Sequence, residues 1–325
     1  MAGKMIISLD FELFWGLLEE MKLDDYRDHI QGGRQAIPRL LELFRKYDVH
    51  ATWATVGFLF GENKEELKSY FPELKPTYSK EGVNPYDYFE KISPENADCF
   101  YAPDLIRLVA QTPGQEIGSH TFSHFYCREK GQTVEQFAAD LKAAKEIAAD
   151  KGYELTSIIL PRNHCEPEYT RVFRDLGFTA FRDEEDDWIH EKIKWFPLLR
   201  AFRLLDVYLP LTGQGVWPAK KEDGVWNFVG SGMYKPIRPS LKFLEKLKMR
   251  RIKARMLHAA KHDLVFHLWW HPHNIGVMTD ACLAQLEELF RYYMELKKTY
   301  GMESLNMKEA ALRMEQEGNE HGEET

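Results

Sequence analysis

Met5-Ile6-Ile7-Ser8-Leu9-Asp10-Phe11-Glu12 is an almost unbroken apolar run that ends in two carboxylates. Apolar on both faces, it reads as a strand inside a parallel sheet rather than as the half-solvated strand of an antiparallel one. Successive side chains of a strand point to opposite sides, so Asp10 and Glu12 share one side and Phe11 takes the other. Two acids placed together at the end of a buried strand are costly unless a cation is shared. A pair of solvated loop acids is the competing reading, and the buried run before them argues against it.

Outward from this strand, the chain alternates strands with single helices. A helix carrying Ile37, Leu40, Leu41 and Phe44 on one face is expected after a Gly32-Gly33 turn, then a strand near 50–56. Residues 62–104 have no clear period and carry five prolines, which reads as an insertion over one rim. A short helix near 104–111 leads to the strand before His120. Thr133-x-x-Gln136 is a capping-box signature for a helix with Phe137, Leu141, Ala144 and Ala148 inward. A strand at 156–160, a helix ending at Gly177 and a strand at 178–182 follow. Residues 183–238 break the rhythm with an acidic run (183–187) and an amphipathic segment at 195–205. That segment is expected to pack on its own domain, peripheral membrane contact being the other reading. The helix at 240–262 is basic on its outer side, which reads as a solvated face, with a phosphate-bearing substrate as the alternative. A final strand, 264–271, opens onto a His-rich loop, and a helix runs from Thr279 to Gly301. This alternation predicts an α/β fold with a parallel sheet or barrel, one domain over 1–315 with insertions near 62–104 and 183–238, and a polar disordered tail at 316–325.

Composition limits the function. The net charge of −8 argues against nucleic acid as a partner. Four cysteines without CxxC spacing (Cys99, Cys127, Cys165, Cys282) argue against a disulfide framework and a cysteine-zinc knuckle. With a strand already starting at Met5 and no apolar stretch of eighteen residues, the expected location is cytoplasmic.

The chemistry collects at the ends of strands. Of three HxxxH pairs, His258/His262 falls inside a helix and reads as chance, whereas His120/His124 and His267/His271 fall at strand ends. If the chain turns helical after Gly118, His120 and His124 lie on one face. The C-terminal ends of parallel strands therefore offer Asp10 and Glu12, His120 and His124, Arg162, and His271, and barrel active sites sit at that face. One carboxylate and two imidazoles make a three-ligand metal site with room for water and substrate. A second carboxylate can take a proton from that water, an arginine can align the base, and a histidine can protonate a leaving amine.

Ser8-Leu9-Asp10-Phe11-Glu12, Ala51-Thr52-Trp53-Ala54-Thr55-Val56-Gly57, Gly118-Ser119-His120-x-x-x-His124, Pro161-Arg162-Asn163 and Phe266-His267-x-x-x-His271-Pro272 together resemble the polysaccharide deacetylases, the NodB-like carbohydrate esterases. The resemblance is strongest to their cytosolic branch in surface-polysaccharide biosynthesis. It implies a distorted (β/α)7 barrel with long loop insertions and hydrolysis of an N-acetyl group from a small-molecule amino sugar, whether nucleotide-linked, lipid-linked or a simple glycoside. It further implies Asp10 as general base, Glu12, His120 and His124 as ligands of a divalent metal, Arg162 orienting Asp10, and His271 as general acid. Zinc is the usual ion, and other divalent ions occur. Asn163 and Trp269 are the expected substrate contacts. Phe11 intervenes where two adjacent aspartates are common, so Asp10 and Glu12 exchange roles in a variant of this reading. His267 is the alternative acid, more naturally a buried supporting residue. Deformylation, a metal-free amide hydrolase and a catalytically silent sugar-binding relative are the alternatives.

Overall fold

Every residue of Lys4–Phe11 (β1) is buried, and the strand forms the middle of a mainly parallel sheet. The computed structural model describes residues 2–163, 165–183 and 195–322. The further strands are Ala51–Thr55 (β2), Gln115–Ser119 (β3), Ser157–Ile159 (β4), Ala180–Arg182 (β5), Lys220–Glu222 (β6), Val225–Asn227 (β7), Gly232–Met233 (β8), Val265–Trp270 (β9) and Glu303–Leu305 (β10). They lie in the order β6-β7-β5-β4-β3-β2-β1-β9-β8, with β10 beside the first half of β1. Only the β6–β7 pair among the named strands is antiparallel. The sheet is curled, and the segment after β7 bridges its two sides: Phe228 N donates to Phe181 O, and Ser231 N donates to His267 O. With β7 and β8 as two pieces of one broken strand, seven parallel strands surround the interior. This is the α/β, distorted (β/α)7 architecture that the motif order implied.

The helices are Leu23–Tyr47 (α1), Lys64–Ser69 (α2), Pro85–Phe89 (α3), Pro103–Ala110 (α4), Val134–Asp150 (α5), Pro167–Asp175 (α6), Phe196–Tyr208 (α7), Glu245–His262 (α8), Thr279–Tyr300 (α9) and Met307–Gly322 (α10). The Thr133/Gln136 capping box forms at the start of α5. Outward-facing Phe11 and Trp53 meet edge to face in the shell between sheet and helices, and α1 buries Ile37, Leu40, Leu41 and Phe44 there. Each such side chain contributes roughly 1.5–3 kcal/mol of burial. Among the described residues no helix is long and apolar enough to cross a membrane.

Strand alternation sorts the interior into layers. Ile6, Ala54, Ile159, Ala180 and Val265 pack together with Met307, Ala310 and Ala311 of α10, which plugs the lower end. Above them the inward positions turn polar: Ser8, Asp10 and Glu12 from β1 and its end, Arg182 from β5, His267 from β9. One end of the interior is therefore greasy and closed, and the other is charged.

Four expectations change. Helix α1 does not begin after Gly32-Gly33 but runs through them, because another backbone packs against that point. A Cβ at Gly32 would stand 2.1 Å from Gly276 O, and one at Gly33 2.7 Å from His273 Cα. The expected disordered tail is, up to Gly322, the end of α10, and Glu317 there pairs with the buried Lys4 at 3.0 Å. The basic face of α8 is not wholly solvated: Lys248 and Arg251 are 2% and 7% exposed. They are buried because each meets an acid, Glu245 at 2.5 Å and Asp206 at 2.8 Å. In 183–238 the structure forms α7 and three short strands, and residues 184–187 of the acidic run lie outside the described residues. The 62–104 insertion packs aromatically: Phe71 stacks on Phe58, and Phe89 meets both edge to face.

Gly32→Ala tests the close approach by its sign. Helix propensity alone makes Ala stabilising by about 1 kcal/mol, whereas the clash with Gly276 should destabilise by about 1–3 kcal/mol. Urea unfolding of the two proteins should show the loss.

Candidate active site and metal centre

Glu12 lies just past the end of β1, and its carboxylate is enclosed by two imidazoles. Its Oε2 stands 3.1 Å from His124 Nε2 and 3.3 Å from His120 Nε2. His120 follows β3 directly, and its Nδ1 lies 2.8 Å from the carbonyl oxygen of Ile159. A carbonyl only accepts, so Nδ1 carries the proton and a neutral His120 turns a lone pair toward Glu12. His124 Nδ1 is buried with no partner. His124 Nε2 is within hydrogen-bond distance of Glu12 Oε2, donating when that nitrogen carries the proton and offering a lone pair when it does not. The donor atoms of Glu12, His120 and His124 lie within 4.8 Å of one another, a set that a shared cation would satisfy. The residues present fit a divalent ion. A second cluster within the same limit, Glu12, His271 and His273, shares the same carboxylate.

The chain after His120 is not helical. Thr121 and His124 take left-handed backbone angles, with φ of 64° and 60°. Local bonds hold that shape. Asp140 of α5 accepts from Phe122 N (2.6 Å), Ser123 N (3.2 Å) and Ser123 Oγ (2.5 Å), and Thr121 Oγ1 accepts from Phe125 N (2.7 Å). Burial pushes the Asp140 carboxyl up to about 6 against those bonds. Gly57 and Phe58, after β2, add backbone bonds to Thr121 O and Phe122 O. His120 and His124 therefore converge through a pinned loop, with ring centroids 5.1 Å apart, rather than through one turn of helix.

Asp10 is held by Arg182, not by Arg162. Arg182 Nη2 donates to Asp10 Oδ2 at 2.8 Å, Nη1 to Ser8 Oγ at 2.7 Å, and Nε and Nη2 to Asn163 Oδ1 at 2.9 and 2.7 Å. Its guanidinium also lies 4.3 Å from the Trp269 ring centroid. Arg162 turns away because the chain after β4 enters left-handed angles at Arg162 and Asn163, φ 62° and 51°. That twist sends Arg162 outward over Tyr126, to Glu129 (2.9 Å) and Glu19 (2.5 Å), and turns Asn163 inward. Asn163 and Trp269, expected as substrate contacts, both touch Arg182. The signal for Arg182 was in the sequence: it ends a buried strand on the same face as Ala180.

Burial alone would raise the carboxyls of Asp10 and Glu12. Arg182, His120 and His271 lower Asp10 nonetheless, and His271, His120 and His124 hold Glu12 well below the usual carboxylate range. Asp10 Oδ1 is buried without a partner. His271 faces both acids, its Nε2 3.7 Å from Asp10 Oδ2 and 3.4 Å from Glu12 Oε1. Asn274 Nδ2 lies 3.1 Å from His271 Nδ1 and donates to it, which leaves the proton of a neutral imidazole on Nε2. His267 sits deeper, fully buried between Ser8 Oγ (2.8 Å) and Phe228 O (2.7 Å), and burial with Arg182 nearby pushes it down to about 3. It supports the site from below.

Gly16 is a further residue the motif reading missed. A Cβ there would fall 2.1 Å from the Glu12 carboxylate, so only glycine leaves that acid its place. Gly16→Ala should cost at least about tenfold in divalent-ion affinity, comparable to loss of a residue supporting a ligand. Titration with a metallochromic competitor measures it, and unchanged affinity would show that Glu12 is not confined there.

Comparisons with known proteins agree with this geometry. Residues 23–181 match the family model described as polysaccharide deacetylase. Among solved structures, a protein assigned as a polysaccharide deacetylase from Mycobacterium smegmatis is 14% identical, over 98% of this chain and 92% of its own, with a TM-score of 0.61. A second protein so assigned, from Pseudomonas aeruginosa PAO1, is 13% identical over 95% and 88%, with a TM-score of 0.53. Puue allantoinase is 12% identical over 95% and 88%, with a TM-score of 0.51. At such identities the likeness is one of fold. No curated protein matches the chain. Over residues 23–181 the chain is thus similar to the polysaccharide deacetylase family, and its curled parallel barrel is the fold of the solved structures so assigned.

Proposed function

We propose that this chain removes an N-acetyl group from an amino sugar, in the cytoplasm, with a divalent ion, zinc first, held by Glu12, His120 and His124. One observation carries the reading: His120 commits its Nδ1 proton to Ile159 O and, with His124, turns its other nitrogen to Glu12. An ion bound there supplies Lewis acidity toward an amide carbonyl and acidifies water. Asp10 is the proposed base. Arg182 keeps it ionised and fixed, and its unpartnered Oδ1 is the atom available to take a proton from attacking water. His271, with its proton on Nε2, is placed to protonate the departing nitrogen. The histidines contact Glu12 rather than Asp10, which supports Glu12 as ligand and Asp10 as base.

Metal content of purified variants tests the assignment. Wild type and Asp10→Asn should each hold about one equivalent of divalent ion, and Glu12→Gln and His120→Ala should lose it. Asp10→Asn should nevertheless release no acetate from N-acetylated sugars. The reverse pattern would exchange the two acids. Activity surviving chelation would mean a metal-free hydrolase, and release of formate in place of acetate would mean a deformylase.

Arg182→Gln should lower kcat by about 10²-fold or more, the scale of losing an effective general base, while the ion is retained. Normal turnover in this variant would remove Arg182 from the mechanism.

A further inference from the structure

Glu12 has two carboxylate oxygens, and they face different histidines. Oε2 faces His120 and His124, whereas Oε1 lies 3.4 Å from His271 Nε2. His273 stands on that second side, and ligand atoms of Glu12, His271 and His273 lie within 4.8 Å of one another. The proposed reaction gives His273 no role. It is 3% exposed, and its Nδ1 is buried with no hydrogen-bond partner. An imidazole nitrogen left unpaired in the interior is costly. Its placement is nonetheless fixed from several sides. The short helical turn Pro272–Ile275 sets its ring along that of His271, with centroids 5.1 Å and planes 24° apart. Tyr26 of α1 meets it edge-on at 5.7 Å. Gly33 of the same helix lets the backbone close in, since a Cβ there would stand 2.7 Å from His273 Cα. The His271 side chain is 21% exposed, which leaves a way in from solvent.

We propose that Glu12 Oε1, His271 and His273 form a second divalent-ion site, separate from the one assigned to Glu12 Oε2, His120 and His124 and sharing only its carboxylate. An ionised carboxylate can serve both, because each ion takes a different oxygen. Two imidazoles with one carboxylate select a borderline ion such as zinc over magnesium or calcium. The second ion binds more weakly than the first, since one negative charge is divided between two cations that repel each other. Filling this site acts on the reaction, and that consequence rests on the deacetylase reading. His271 can ligate only through a bare Nε2, the nitrogen that carries the proton meant for the leaving amine. On binding, that proton leaves Nε2 for solvent and another enters at Nδ1, with the Asn274 amide turned so that its oxygen accepts it. His271 then has no proton to give at the reacting side. One ion therefore supports turnover, and a second stops it.

Zinc is the probe, titrated by equilibrium dialysis into wild type, His273→Gln and His120→Ala. Wild type should bind in a tight and a weaker step. His273→Gln should keep the tight step, which also shows that it is folded, and weaken the second by at least about tenfold, as when a ligand is lost. His120→Ala should lose the tight step and keep the weaker one. A single step in wild type would overturn the proposal, and so would a weaker step unchanged in His273→Gln, since the second ion would then sit elsewhere. Cobalt(II) in wild type gives a reading that needs no variant. With both steps filled, the two ions should be spin-coupled through the shared carboxylate, and two independent paramagnetic spectra would refute a shared Glu12. Acetate release, referred to each protein's own rate at one equivalent of zinc, should fall in wild type as the weaker step fills and hold steady in His273→Gln. Equal inhibition of both would break the link to His271. Two ions bound as expected, with no acetate released at any zinc level, would count against the deacetylase reading and not against the second site.

Discussion

A guanidinium buried inside a parallel barrel has to be satisfied by oxygen atoms from several strands at once, and Arg182 meets that demand. Its donors reach Asp10 and Ser8 on β1 and Asn163 after β4, and its flat face lies on Trp269 of β9. Removing one member of such a buried pair typically costs about 3–5 kcal/mol, because the other charge is left stranded. The curl of the sheet is what allows it: β5 and β1 are separated by three strands in the order of the sheet, yet their inward side chains touch. The same bond that ties the barrel across its middle holds the proposed base.

Above that layer the site depends on how closely neighbouring backbones approach. Gly32 and Gly33 let α1 lie against the His271–Gly276 loop, and Gly16 leaves the space that the Glu12 carboxylate fills. The His120–His124 loop is set by Asp140 beneath it and by backbone bonds from Gly57 and Phe58. Each facing group of the centre is thus positioned by an element other than its own, which is the supporting shell that metal sites require.

Much of this was legible in the chain. Apolar strands alternating with single helices announced the parallel barrel, and the inward set Ile6, Ser8, Asp10, Glu12 follows from a period of two. The gathering of Asp10, Glu12, His120, His124 and His271 at one end follows from each lying at a strand end. His267 and His271 lie at different depths: His267 is locked between Ser8 and Phe228 O, whereas His271 faces both acids. The α10 plug was not legible, because its short apolar set (Met307, Ala310, Ala311) has a meaning only beneath the strands it fills.

What the sequence determined by itself is what depends on local rules: which runs are buried, which side chains share a face, and which residues end each strand. Tertiary structure alone decided which arginine reaches Asp10. Arg182 ends β5 and Arg162 follows β4 by three residues, and choosing between them requires the left-handed turn at Arg162 and Asn163, which no period in the sequence encodes. It also decided that Lys248, Arg251 and Arg255 line a cavity rather than a solvated face. A helix has a fixed set of faces, but whether one of them meets water depends on what packs there, and here α7 brings Asp206 against it.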